Sequence, residues 1–263
     1  MQSEAAIEDA ARALLACEDE RRARDPLTAA DWPDLTVADA YRVQDASARM
    51  RQARGERIVG VKMGLTSRAK QATMGVDVPA VAWVTDRMRV DDEEAPPLDR
   101  FIHPRAEPEL FFRLGRPLSG TALTREDAAA AVDLVVAGVD IIDSRYHDFR
   151  FTLADVVADN ASSAGFIPGP VQCDPADLDL QLESVIVEQD GVVIDTATGA
   201  AILGHPLDAV AAAANLLGER GLALDAGSWV LAGAMTDAVA IDPSRTLAFH
   251  FAHLGSIWIP REA

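Results

Sequence analysis

The chain has 263 residues, with 24 Lys or Arg against 42 Asp or Glu, so its formal charge is −18. At 49% hydrophobic and 25% charged residues it has an ordinary globular balance, and its length suits one large domain or two small ones with a sizeable core. The negative excess speaks against nucleic acid or an anionic membrane surface as partner, and an anionic ligand would need a metal or a few placed cations to reverse the field locally.

In chain order, residues 4–24 read as an amphipathic helix, with Ile7, Ala11, Leu14 and Leu15 at helical spacing and Pro26 as its stop. A second helix starts after Thr36 as N-cap, with Val37, Ala40, Tyr41 and Gln44 inward and Gly55 at its end. Residues 57–63 alternate as a strand, Val59, Val61 and Met63 on one face and Ile58, Gly60 and Lys62 on the other. Thr66 to Gly75 reads as a short helix or turn. Asp91 to Asp99, with paired acids and Pro96-Pro97, reads as a loop or linker.

That loop divides an N-terminal helical segment, 1–99, from a β-rich core, 100–263, the two forming one compact unit. Beyond it, 107–114 is expected as a strand, 125–136 as an Ala-rich helix and 138–144 as a strand. Asp190-Gly191 between two β-prone runs marks a hairpin. Pro206 and Gly221 bracket another Ala-rich helix, and strands are expected at 229–231, 247–251 and 256–259. The fold class is therefore α+β, with helices early and a mixed sheet later.

Cys17 and Cys173 are the two cysteines, far apart and without ligand spacing, which fits a reducing cytoplasm. The start, Met1-Gln2-Ser3-Glu4, lacks the basic and apolar regions of a signal peptide. The apolar stretches 209–217 and 132–142 are too short or too charge-interrupted to span a bilayer. Neither a phosphate loop with Lys directly after its second glycine, nor G-x-G-x-x-G, H-E-x-x-H or C-x-x-C occurs.

The residues that suggest chemistry are carboxylates. Glu107 and Glu109, at i and i+2, share one face of a strand while Leu110 and Phe112 form the other. Such a pair is either a solvated sheet edge, which Pro108 would favour, or a divalent-metal site, because adjacent like charges repel unless a cation separates them. Asp140 lies in an apolar strand, where it needs a partner, a ligand or a place at the rim. Asp143, three residues on, faces the other way and is free to pair with Arg145 or cap a turn. Residues 155–163 form either a capped helix end or a pocket-lining loop. Lys62, on a strand beside Gly60 and Gly64, is either a strand-end lysine reaching solvent or a buried amine with catalytic potential.

Five motifs then appear in order: Val61-Lys62-Met63-Gly64-Leu65-Thr66-Ser67, Met74-Gly75-Val76-Asp77, His103-Pro104-Arg105-Ala106-Glu107-Pro108-Glu109, Asp143-Ser144-Arg145-Tyr146, and Val157-Ala158-Asp159-Asn160-Ala161-Ser162-Ser163. Together with Leu203-Gly204-His205-Pro206 and Leu254-Gly255-Ser256 they resemble the hydratase/decarboxylase family of the aromatic meta-cleavage pathway, within the fumarylacetoacetate-hydrolase-like superfamily. Tyr146 and Phe149 are more similar to the 4-oxalocrotonate decarboxylase branch than to the hydratases.

The resemblance implies a mixed β-sheet/β-roll with N-terminal helices. It also implies a Mg²⁺ or Mn²⁺ held by Glu107, Glu109 and Asp140, with Lys62 as the catalytic residue and Arg145, Asp159 and Ser163 binding substrate. The family usually has Glu at the third ligand position, and the shorter Asp140 would reach the ion directly or through a water. The implied reaction is decarboxylation of the dicarboxylate 2-oxo acid 2-oxo-3-hexenedioate to 2-hydroxypenta-2,4-dienoate. Implied associations are a homo-oligomer and a complex with the sister hydratase. The rival readings are the hydratase itself and a non-catalytic companion subunit whose site has decayed at Asp140. A superfamily C–C hydrolase is disfavoured by the Asp143–Tyr146 run.

Overall fold

The structure, a computed structural model, describes residues 2–67, 71–72, 78–90 and 96–261. Most of the helix or turn expected at 66–75, the motif at 74–77 and residues 91–95 of the expected loop lie outside the described residues.

Helix α1 (Glu4–Glu20) begins at Ser3, whose side chain accepts the Ala6 N–H, and buries Ile7, Ala10, Ala11, Leu14 and Leu15. It stops at Arg21 in a left-handed conformation, where the Arg21 N–H reaches the Cys17 and Glu18 carbonyls, well before Pro26. Thr36 caps α2 (Val37–Ala53) as expected, accepting the Asp39 N–H. Together α1, α2, Trp32, Tyr146 and the short helix α4 (Leu153–Ala158) bury a core of their own.

Strands β1 (Ile58–Gly64), β2 (Ala80–Thr85), β3 (Arg105–Leu114), β4 (Val132–Ile142), β5 (Ser163–Cys173) and β8 (Trp229–Leu231) form one sheet, ordered β2-β1-β8-β3-β4-β5. Strand β9 (Val239–Ala240) adds to β3 beside the end of β8. This sheet runs across residue 99, so both expected segments contribute to a single layer. Strands β6 (Ser184–Gln189), β7 (Val192–Thr198), β10 (Leu247–Phe251) and β11 (Gly255–Ile259) make a second sheet, ordered β11-β10-β6-β7, with β11 against β4 and β5. The β6–β7 hairpin turns through Asp190 and Gly191, both at positive φ, as the Asp-Gly pair demands.

The helix expected at 125–136 is cut short. Helix α3 spans Arg125–Ala131, and the chain then extends into β4 six residues earlier than the pattern suggested. Val132, Leu134, Val135 and Val136 carry β-branched or bulky side chains that pack into both cores, and this outweighs the helical preference of the preceding alanines. Helix α5 (Pro206–Glu219) buries Leu207, Ala209, Val210, Ala213, Ala214 and Leu217 in the main core. The segment Gly199–Glu219 is long and apolar enough by composition alone to cross a bilayer, but it serves here as a core helix.

Candidate active site

Alternation along three strands builds the site. On β3, Ala106, Leu110 and Phe112 enter the main core, so Arg105, Glu107 and Glu109 project from the opposite face. On β4, Val135, Ala137, Val139 and Ile141 do the same and turn Asp140 toward Glu107, its direct cross-strand partner. On β1, Val61 and Met63 are core residues and Lys62 faces the carboxylates. The solvated-edge reading of Glu107 and Glu109 therefore fails, because β3 is central and Glu109 is fully buried. Pro108 is tolerated where β3 changes partner from β8 to β9, and the connecting segment donates the Met235 N–H to the Pro108 carbonyl.

Glu107, Glu109 and Asp140 bring ligand oxygens within 4.8 Å of one another, all three buried. The Lys62 ammonium donates to Asp140 Oδ2 and is itself 2% exposed, which settles the lysine as a buried amine rather than a strand-end cation. Glu109 Oε2 accepts the Gly233 N–H at 2.9 Å, while its buried Oε1 has no hydrogen-bond partner among the described residues. Burial first, then the Asp140 and Glu107 charges, raise the Glu109 carboxyl well above its ordinary range against the pull of Lys62. Three crowded oxygen donors with an unsatisfied lone pair fit a hard divalent cation, which would take up the repulsion. Gly233 has φ +105°, and a Cβ there would lie 2.1 Å from Thr66 Oγ1, so the backbone can approach Glu109 only as glycine.

Glu107 and Lys62 open onto a cavity of about 700 Å³ whose walls also include Thr66, Arg105, Phe149, Phe151, Val156 and Ser162, while Glu109 and Asp140 are fully buried beside them. Arg145, Asp159 and Ser163 are not among its lining residues. Arg145 and Asp159 are buried against each other behind the wall. The guanidinium donates through Nε to Asp159 Oδ1, through Nη1 to the Asp143 and Ser163 carbonyls at 2.9 and 3.1 Å, and through Nη2 to the Asp159 carbonyl. Burial alone would lower the Arg145 pKa, but the Asp159 charge overrides it and holds the group above its ordinary value. The Ser163 hydroxyl points to Met88 Sδ at 3.6 Å.

These three residues expected to bind substrate thus shape the wall without facing the cavity. Asp143 caps instead of coordinating: its carboxylate accepts the Ile102 and His103 N–H groups at 2.8 and 2.7 Å. Tyr146 packs among the N-terminal helices. The stretch at 155–163 plays both parts considered for it: α4 ends at Ala158, where the Asp159 N–H reaches the Asp155 and Val157 carbonyls, and Ala161 and Ser162 form a piece of the pocket. Sequence reasoning left Arg105 without a role, although the alternation that pairs Glu107 with Glu109 places Arg105 on the same face.

No family model matches the chain. It is 44% identical over 232 residues to a 4-oxalocrotonate decarboxylase of Pseudomonas sp. (strain CF600), covering 88% of each protein. It is 38% identical over 226 residues to a 2-keto-4-pentenoate hydratase of Paraburkholderia xenovorans (strain LB400), covering 86% of this chain and 84% of that one. The fold superposes with a TM-score of 0.97 on the 4-oxalocrotonate decarboxylase from Pseudomonas putida G7 complexed with magnesium and adipate, at 38% identity over 100% of this chain and 99% of that one. A fumarylacetoacetate hydrolase family protein from Yersinia pestis CO92 shares the fold alone, with a TM-score of 0.57 at 13% identity over 77% of this chain and 92% of that one.

Proposed function

The chain belongs to the family of 4-oxalocrotonate decarboxylases and 2-keto-4-pentenoate hydratases, and from that membership we propose that it is a divalent-metal-dependent carboxy-lyase. Its reaction is the conversion of 2-oxo-3-hexenedioate (4-oxalocrotonate) to 2-hydroxypenta-2,4-dienoate and carbon dioxide. The observation that carries this reading is the buried set of Glu107, Glu109 and Asp140, with Lys62 beside it, at the cavity.

Glu107, Glu109 and Asp140 would hold the ion, Mg²⁺ or Mn²⁺. When bound, it supplies Lewis acidity to the 2-oxo acid end of the substrate. The substrate provides its own electron sink: the pair of the breaking C5–C6 bond passes through the C3–C4 double bond to the C2 oxygen as carbon dioxide leaves. Lys62, fixed by Asp140, puts a positive charge and a transferable proton at that oxygen, where negative charge develops. Proton delivery there yields the 2-hydroxydiene. Phe149, Phe151, Val156 and Ile142 give the cavity apolar walls, which favour loss of a carboxylate charge over its retention.

The buried lysine and complete carboxylate set support a working enzyme over a decayed companion subunit. Cytoplasmic location, self-association and association with a sister hydratase belong to the same proposal. The test is to supply the Mg²⁺-loaded protein with 2-oxo-3-hexenedioate and, separately, with 2-hydroxypenta-2,4-dienoate. Carbon dioxide release from the first, abolished by chelator, is expected. Hydration of the second without carbon dioxide release from the first would make it a hydratase.

A further inference from the structure

Among the described residues lining the cavity, two carry positive charge, Lys62 and Arg105. Lys62 is committed to Asp140. The Arg105 guanidinium forms no hydrogen bond or ion pair with any described residue and lies over the Phe149 ring at 4.2 Å from the centroid. The other neighbour of that ring is His103, 4.9 Å away between centroids, whose Nε2 is 2.8 Å from the Ser144 carbonyl oxygen. The stack of His103, Phe149 and Arg105 thus fixes a planar cation at the cavity wall while leaving its donors uncommitted, in a protein with a net charge of −18. Stacking orients the fork without using its N–H groups.

We propose that Arg105 is a specificity-determining residue that binds the distal carboxylate of the substrate. The inference rests on the decarboxylase reading above. Arg105 and Glu107 are two residues apart on one strand face, roughly 6.6 Å along β3. A six-carbon 2-oxo diacid anchored by its 2-oxo acid end near Glu107 therefore has its far carboxylate within reach of the guanidinium. Charge balance points the same way. Of the two described cations lining the cavity, Lys62 is paired with Asp140, so Arg105 is the one available to the second carboxylate of a dianion. The Asp237 carboxylate also lines the cavity but is exposed to solvent.

This pairing has a kinetic signature. The distal carboxylate departs as neutral carbon dioxide, so its attraction to Arg105 is strongest in the ground state and fades in the transition state. Removing it should raise KM and leave kcat unchanged or higher.

The experiment compares wild type, Arg105→Gln and Arg105→Lys, all Mg²⁺-loaded, for binding of 2-oxoadipate and 2-oxohexanoate by calorimetry. These saturated acids share the chelating end and differ in the distal carboxylate. Wild type should prefer 2-oxoadipate, Arg105→Gln should lose about 10- to 100-fold of that preference, the scale of a charge-assisted pair, and Arg105→Lys should keep part of it. Binding of 2-oxohexanoate and of Mg²⁺ should be unchanged, which also shows that the variants are folded. A preference retained in Arg105→Gln, or a fall in kcat with KM constant, overturns the proposal. Absence of any preference in wild type instead overturns the dicarboxylate reading on which it rests.

Discussion

Replacing Arg145 with methionine should unfold the protein more readily without weakening its hold on substrate. The change keeps an apolar stem but removes a guanidinium that serves Asp159, the Asp143 carbonyl and the Ser163 carbonyl. The Asp159 carboxylate, 1% exposed, would remain with the Arg145 backbone N–H at 3.2 Å and the Ser144 and Ser162 hydroxyls at 3.5 and 3.3 Å. An uncompensated buried charge costs about 3–5 kcal/mol. At roughly 2–4 °C per kcal/mol for a chain of this size, the thermal midpoint should fall by roughly 6–20 °C. The double variant Arg145→Met with Asp159→Asn should recover much of that loss, because the stranded charge is gone. Thermal unfolding of the Mg²⁺-loaded protein, alongside 2-oxoadipate binding below the transition, separates the two roles. A normal midpoint with weakened binding would refute the wall assignment and return Arg145 to direct substrate contact.

Glu109→Gln should abolish Mg²⁺ binding and turnover, yet leave the metal-free midpoint at or above that of wild type, since it removes one of three mutually repelling buried carboxylates; calorimetry and thermal unfolding read both. Lys62→Ala should lower kcat by roughly 10²-fold or more, the scale of a positioned acid, and a near-normal kcat would leave the lysine as a structural counterion of Asp140. Gly233→Ala should cost about 1–3 kcal/mol from its positive φ and its clash with Thr66, and should also weaken Mg²⁺ by moving the N–H that holds Glu109. Asp140→Glu should keep metal binding if the carboxylate is a ligand, whereas Asp140→Asn should weaken it; unchanged Mg²⁺ affinity in both would make Asp140 a partner of Lys62 and not a ligand.

Local signals in the sequence carried most of the element pattern. Capping at Thr36, the Asp-Gly turn and the Pro206 start act over a few residues, and the structure places each where the spacing did. The differences arise where distant packing decides. The alanines before Val132 favour helix locally, but β4 lies between β3 and β5 and its valines and leucine fill both cores, so extension wins. Strands β2 and β5 were not anticipated, and β5 includes Pro168, Gly169 and Pro170, which suppress a strand signal.

The site shows the same division between a legible pattern and a spatial fact that one sequence does not contain. Alternation by two established that Glu107 and Glu109 share a face, and it applies equally to Arg105, because every odd position from 105 to 111 on β3 turns away from the main core. Alternation does not state which cation already has a partner. Arg145 and Arg105 look equally available in the chain, yet Arg145 is consumed by Asp159, fourteen residues away, while Arg105 is braced by Phe149 with its side-chain donors uncommitted among the described residues. A cation meets substrate when the fold leaves it unsatisfied beside a cavity, and satisfaction is decided by partners that only the tertiary structure brings together.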